Sequence, residues 1–243
     1  MLRPRRSVTM AESRPPAGAA RLSKRLAAEG LGSFFLFATV VGSGIMAERL
    51  AGGNVALALL ANTLATGAIL FVLIAMLGPI SGAHMNPAVS LVAAARRELR
   101  PRDTLFYILA QLAFGVAGVW AAHLMFDLPV FQLSTKVRTG LGQWTGELIA
   151  TFGLILTIIG VSRCRPAVVP AAVALYISAA YWFTSSTSFA NPAITVARSL
   201  SDSFAGIAPA DAPMFIIAQL AGAGLAAVVA RLLFDEEAAI PPS

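Results

Sequence analysis

Six apolar stretches constrain this chain more than any other feature: residues 26–46, 55–77, 105–126, 146–161, 167–183 and 214–234. An α-helix needs about 20 residues to cross a hydrocarbon layer roughly 30 Å thick. Only helices and closed barrels satisfy every backbone group there. Two further apolar stretches, 87–95 and 192–200, are too short to span. Hydrophobic residues make up 57% of the chain and charged ones 12%, where a soluble domain carries about 25% charged residues. The sequence therefore predicts one integral membrane domain over 23–234. A basic flexible tail, 1–22, is expected before it and a short tail, 235–243, after it.

A net charge of +6 raises a nucleic-acid reading, but its distribution argues for topology instead. Arg3, Arg5, Arg6, Arg14, Arg21, Lys24 and Arg25 precede the first span. Arg96, Arg97, Arg100 and Arg102 precede the third, and Arg163 and Arg165 separate the fourth from the fifth. In a six-span chain all of these face one side, opposite Arg49, Lys136, Arg138 and Arg198. Cytoplasmic loops carry the Lys and Arg excess, so both termini are expected in the cytoplasm. The first apolar stretch is too long for a signal-peptide core and lacks a cleavage site, so it reads as a retained span.

The chain repeats its own plan. Half one (23–126) has Glu29 heading its first span and His84-Met85-Asn86-Pro87-Ala88-Val89-Ser90 opening the short stretch. Half two (143–234) has Glu147 and Phe189-Ala190-Asn191-Pro192-Ala193-Ile194-Thr195 at the matching places. Three spans per half force the second half to enter from the opposite face. Such an inverted repeat sets its site near the midplane, between the halves. Pro suits the first position of a helix and Asn suits the cap. A helix of about nine residues rises only about 14 Å, so two half-helices entering from opposite faces meet end to end. The small and polar stretches 78–85 and 184–190 then line a watery cavity, where irregular backbone is tolerated.

Ser81-Gly82-Ala83-His84-Met85-Asn86-Pro87-Ala88-Val89 and Ser188-Phe189-Ala190-Asn191-Pro192-Ala193 resemble the two pore-loop signatures of the aquaporin, or major intrinsic protein, family. The resemblance covers roughly residues 26–234. It implies an all-α membrane protein: a right-handed bundle of six transmembrane helices and two re-entrant half-helices, usually a homotetramer with one pore per subunit. Its location would be the bacterial inner membrane. It also implies a passive channel with its centre at Asn86, Pro87, Ala88, Asn191, Pro192 and Ala193. The Asn side chains would donate to the passing molecule, and carbonyls of Gly82, Ala83, His84, Thr187, Ser188 and Phe189 would accept from it. The positive ends of both half-helices would oppose cations, protons included.

Carried over by spacing, the family's outer constriction falls on Thr66, Ala179, Ser188 and Ile194. Its usual Arg after the second Asn-Pro-Ala is replaced by Ile194, and the Asp that follows it in glycerol facilitators is missing. The ring expected is wide and moderately polar. It suits small uncharged solutes, such as metalloid hydroxides (arsenous acid among them), small polyols or urea, together with water. A water-selective pore is the alternative, and an ion-coupled secondary transporter the alternative of another class. Arg198, four residues after Ile194, has two readings: an outer-vestibule cation on the same helix face, or a partner for Asp202.

Glu29 and Glu147 are expected to scaffold the pore loops rather than relay protons. His84 reads as a pore-loop residue, His123 as a helix-end residue without special role, and Tyr107, Trp120, Trp144, Tyr181 and Trp182 as interfacial anchors. Small residues at Gly115, Ala117, Gly118 and Ala221, Gly222, Ala223, Gly224 suit close helix packing. Cys164 is the only cysteine, so an internal disulfide is excluded. No catalytic dyad, metal-ligand set or phosphate loop appears. No enzyme activity, metal or cofactor is expected, and the partners expected are small neutral solutes, water and lipid.

Overall fold

A computed structural model describes residues 20–234. The tails expected over 1–22 and 235–243 lie outside the described residues, apart from 20–22. The elements in order are α1 (Leu22–Leu50), α2 (Val55–Ser81), α3 (Pro87–Ala95), α4 (Pro101–Met125), α5 (Leu141–Cys164), a 3₁₀ turn (Pro166–Val168), α6 (Val169–Phe183), α7 (Pro192–Arg198) and α8 (Ala212–Phe234). Six are long and apolar enough to cross a membrane; α3 and α7 are not. Most of the long helices overrun the apolar stretches that predict them. The helix-heading residues Lys24 and Arg25 extend α1 toward its start, since long basic side chains keep their charges at the interface. The second half-helix is shorter than expected, closing at Arg198 rather than 200.

Local chemistry sets the starts. Asn54, Asn86 and Asn191 cap α2, α3 and α7, their side chains accepting from Leu57 N, Ala88 N and Ala193 N. Pro87, Pro101 and Pro192 stand in first turns, where no N–H is missed. Gly82, at φ 89°, ends α2 in the left-handed conformation.

The two halves pack alike. The α1–α4 pair of half one matches the α5–α8 pair of half two, and α1–α2 matches α5–α6. Both pairs touch backbone to backbone. A Cβ on Gly118 of α4 would stand 2.2 Å from the Phe34 carbonyl oxygen of α1, and one on Gly222 of α8 would stand 2.3 Å from that of Leu148 on α5. Each half-helix also crosses to the other half: α3 packs on α8, and α7 on α4. Ala88 and Val92 of α3 share a small-residue core with Ile155 and Ile159 of α5 and with Ala223, Ala226 and Ala230 of α8. Leu60, Leu64, Phe71, Leu175 and Leu232 stand exposed on the outside. That is the surface a helix bundle shows to lipid rather than to water.

The connections 51–54, 126–140 and 199–211 gather at the end opposite the start of α1 and the end of α8, called the outer end below. Ser134 N donates to Ser199 O (2.9 Å) and Ala208 N to Lys136 O (2.7 Å). His123 is fully buried here, bonding Val130 O and Ser201 Oγ at 2.9 Å each. It ties α4 to both connections, correcting its expected lack of a role.

Candidate functional site

The loops before α3 and α7 share one backbone course, five residues long. Ala83 and Met85 have φ of 48° and 47°, and Ser188 and Ala190 have 51° and 47°. Non-glycine residues hold this strained region only where the surroundings over-determine it. Two buried carboxylates do so. Glu29 accepts from His84 N (2.9 Å), Met85 N (2.7 Å), Ser81 Oγ (2.7 Å) and Gln111 Nε2 (2.8 Å). Glu147 accepts from Phe189 N (2.8 Å), Ala190 N (2.9 Å) and Gln219 Nε2 (2.5 Å). Gln111 and Gln219 also donate to Ser90 Oγ and Thr195 Oγ1 on the half-helices. Neither Gln was anticipated, although the signal was present. Ala110-Gln111-Leu112-Ala113 and Ala218-Gln219-Leu220-Ala221 repeat one tetrapeptide at matching places.

This anchoring aims the carbonyls. In a planar trans peptide the C=O points opposite to the N–H that follows it. The N–H groups of His84 and Met85 point at Glu29, so the carbonyls of Ala83 and His84 turn away from it. Those of Ser188 and Phe189 turn away from Glu147 in the same manner. All four residues line one cavity of about 290 Å³. The N–H groups of Ala83 and Ser188 are held by Ser81 Oγ and Ser186 Oγ. The carbonyls of Gly82 and Thr187 turn away from these two hydroxyls.

At the centre the two half-helices grip each other. Asn86 Nδ2 donates to Ala190 O and Asn191 Nδ2 to Met85 O, each at 2.8 Å. Each Asn thus spends its oxygen on the cap and one amide hydrogen on the opposite loop. Its second hydrogen takes no partner among the described residues, and both Asn residues line the cavity.

The cavity runs from Arg96 and Glu98 at the inner end, past Asn86 and Asn191, to Arg198 at the outer end. Near the outer end the structure corrects one filter position. Ala179 is exposed on the stripe of Leu175, Trp182 and Phe183 and does not line the cavity. Val169, Val173, Ile177 and Tyr181, spaced four apart, line it instead. Two residues turn a helix by about 200°, which puts Ala179 on the opposite face. Thr66, Ser188 and Ile194 line the cavity, and Thr66 Oγ1 lies 3.2 Å from Tyr181 Oη. Tyr181 and Tyr107 are buried rather than interfacial. Tyr107 donates to Ser81 O and accepts from Arg25, behind the first pore loop.

Arg198 lies one helical turn beyond Ile194, 3% exposed, and lines the cavity. Helix side chains lean toward the N-terminus, and its guanidinium lies back over the Phe189 ring, 3.3 Å from the centroid. Its Nε donates to Ala205 O. The pairing with Asp202 does not form: Asp202 accepts from Thr135 N and Oγ1 instead. A second buried guanidinium, Arg138, stands 5.1 Å from the same ring and donates to Gly206 O and Ser186 O. Burial pulls Arg138 down to about 10 and, chiefly, Lys136 down to about 8. His84, at the inner side, bonds Ser90 Oγ at 3.1 Å and packs against Tyr107. No second histidine is near it, since His123 is at the outer end.

Residues 17–188 match the family model described as major intrinsic protein. The chain is 56% identical over 214 residues to the aquaglyceroporin AqpS of Rhizobium meliloti, covering 88% of this chain and 91% of that one. It is 31% identical over 249 residues to aquaporin AqpM of Methanothermobacter marburgensis, covering 88% and 99%. Among solved structures, the aquaglyceroporin from Plasmodium falciparum superposes with a TM-score of 0.63 at 20% identity, covering 88% of this chain and 97% of that chain. That likeness is one of fold.

Proposed function

This chain belongs to the major intrinsic protein, or aquaporin, family, and from that premise we propose which solutes its pore passes and which residues choose them. The protein is a multi-pass membrane channel, passive, for small solutes and water; it is not an enzyme. Its solutes are small and uncharged: polyols such as glycerol, urea, and undissociated metalloid hydroxides such as arsenous acid. The observation that carries this reading is the outer constriction. Ile194 takes the place of the arginine at the turn after Asn191, and Arg198 follows one turn along the helix with its guanidinium folded back over Phe189. The ring of Thr66, Tyr181, Ser188 and Ile194 mixes hydroxyls with an apolar wall, which suits molecules that carry both. It is more polar than a ring built on Ala179. Pore selectivity follows from such diameters and donors.

Within this reading Asn86 and Asn191, with Pro87, Ala88, Pro192 and Ala193, form the pore centre. Glu29 and Glu147 are its scaffold. One channel domain spans 23–234, in repeats 23–126 and 143–234, and assembles as a homotetramer. It sits in the inner membrane with both termini cytoplasmic.

Stopped-flow light scattering on proteoliposomes tests the solute class. Wild type is expected to pass water, glycerol, urea and arsenous acid, while Ile194→Arg keeps water flux and loses the larger solutes. Fast water flux with none of the others would overturn the proposal. Saturating flux driven by a proton or sodium gradient would point to a coupled transporter.

A further inference from the structure

The outer mouth holds two buried guanidiniums that bond no described carboxylate; Asp211 accepts from the backbone N–H of Arg138 instead. Neither Arg198 nor Arg138 forms an ion pair with a described residue, and Arg198's Nε is its only nitrogen bonded to one. Arg96 and Glu98 lie at the far inner end of the cavity. Ser188, 2% exposed, lines the cavity beside Phe189, and its hydroxyl has no partner in the protein. Phe189 and backbone carbonyls hold both guanidiniums in place. The two Nη groups of Arg198 form a planar fork, the geometry that matches a carboxylate through paired hydrogen bonds.

We propose that Arg198 and Ser188 form a docking site for a small planar oxyanion of the carboxylate type at the outer mouth, and that the docked anion plugs the pore instead of crossing it. The proposal rests on the channel reading above. The plug follows from what lies further in. Ile194 offers no donor. The track beyond it presents the carbonyls of Ser188 and Phe189, which accept hydrogen bonds and repel a negative charge. A neutral solute, carrying donors of its own, meets the same track favourably. Arg138 adds positive potential behind Phe189 without itself lining the cavity.

The test uses purified full-length channel in liposomes, with formate as the probe and chloride of equal osmolarity as the control anion. Water flux in chloride alone checks the channel; its absence would count against that reading and not against this one. Formate outside is expected to lower water and urea flux saturably, with half-inhibition in the low millimolar range, roughly 1–30 mM. Each variant is compared with its own formate-free flux. Arg198→Gln is expected to abolish the inhibition, Arg198→Lys to weaken it, and Ser188→Ala to raise the half-inhibiting concentration several-fold. The last variant keeps the proposal testable if the arginine variants do not fold. Unchanged wild-type flux, equal inhibition in Ser188→Ala and wild type, or labelled formate entering at the rate of urea would each overturn it.

Discussion

Glu29 and Glu147 each receive two backbone N–H groups and a Gln amide, in a setting where water does not compete. Hydrogen bonds to a charged group are worth about 1.5–3 kcal/mol each. Glu29→Gln or Glu147→Gln is therefore expected to cost roughly 3 kcal/mol, read as a lower unfolding temperature of the detergent-solubilised protein. A gain of proton coupling with unchanged stability would contradict the scaffold role. Lys136 supplies a pH dependence. Its ammonium sits on the Phe204 carbonyl and ring, and burial, then Arg138 and Arg198, lower it from 10.5 to about 8. The unfolded chain therefore binds more protons between these two values, so stability rises with pH across that window and the penalty is complete below it. Thermal unfolding at pH 7 and pH 9.5 measures this, and Lys136→Met is expected to remove that rise.

At the scale of elements, the register of α6 decides the filter. Tyr181 faces the cavity and Ala179 faces outward. Tyr181→Phe removes the hydroxyl paired with Thr66 and is expected to lower glycerol flux about two- to tenfold relative to water, the value of one hydrogen bond. Ala179→Val is expected to leave the ratio unchanged. Equal effects of the two would restore Ala179 to the filter. The glycines at the helix crossings make a sharper prediction. Gly118→Val and Gly222→Val drive a side chain into backbone carbonyls of Phe34 and Leu148, where no rotamer gives relief. Both are expected to abolish folded protein in the membrane fraction. Gly224→Val, with open space beside it, is expected to be tolerated.

For the whole molecule, the inverted repeat fixes which ends share a side. Cys164 is the only cysteine, exposed at the end of α5 on the side where α1 starts and α8 ends. With cytoplasmic termini, a membrane-impermeant maleimide is expected to label it in inside-out vesicles and not in intact cells. The opposite pattern would invert the topology.

The class of this protein was written locally. Apolar runs of bilayer length, two Asn-Pro-Ala turns and a Glu heading each half are matters of composition and spacing, and they determine six spans, two half-helices and a pooled centre. The second hydrogen-bonding role of each Asn and the buried task of His123 depend on residues 7 to 106 positions apart, and no local signal sets those pairings; Gln111 and Gln219 are marked only by a repeated tetrapeptide, which does not say what they hold. The filter shows the reason most plainly. Counting back from Asn191 assumes a fixed loop length between α6 and the turn, while the helix face is set by how α6 packs against α2 and α5. A difference of two residues exchanges lumen for lipid. Likewise, Ile194 stands where the resemblance expects an arginine, but only the folded chain, with Phe189 beneath Arg198, decided where the guanidinium of Arg198 lies.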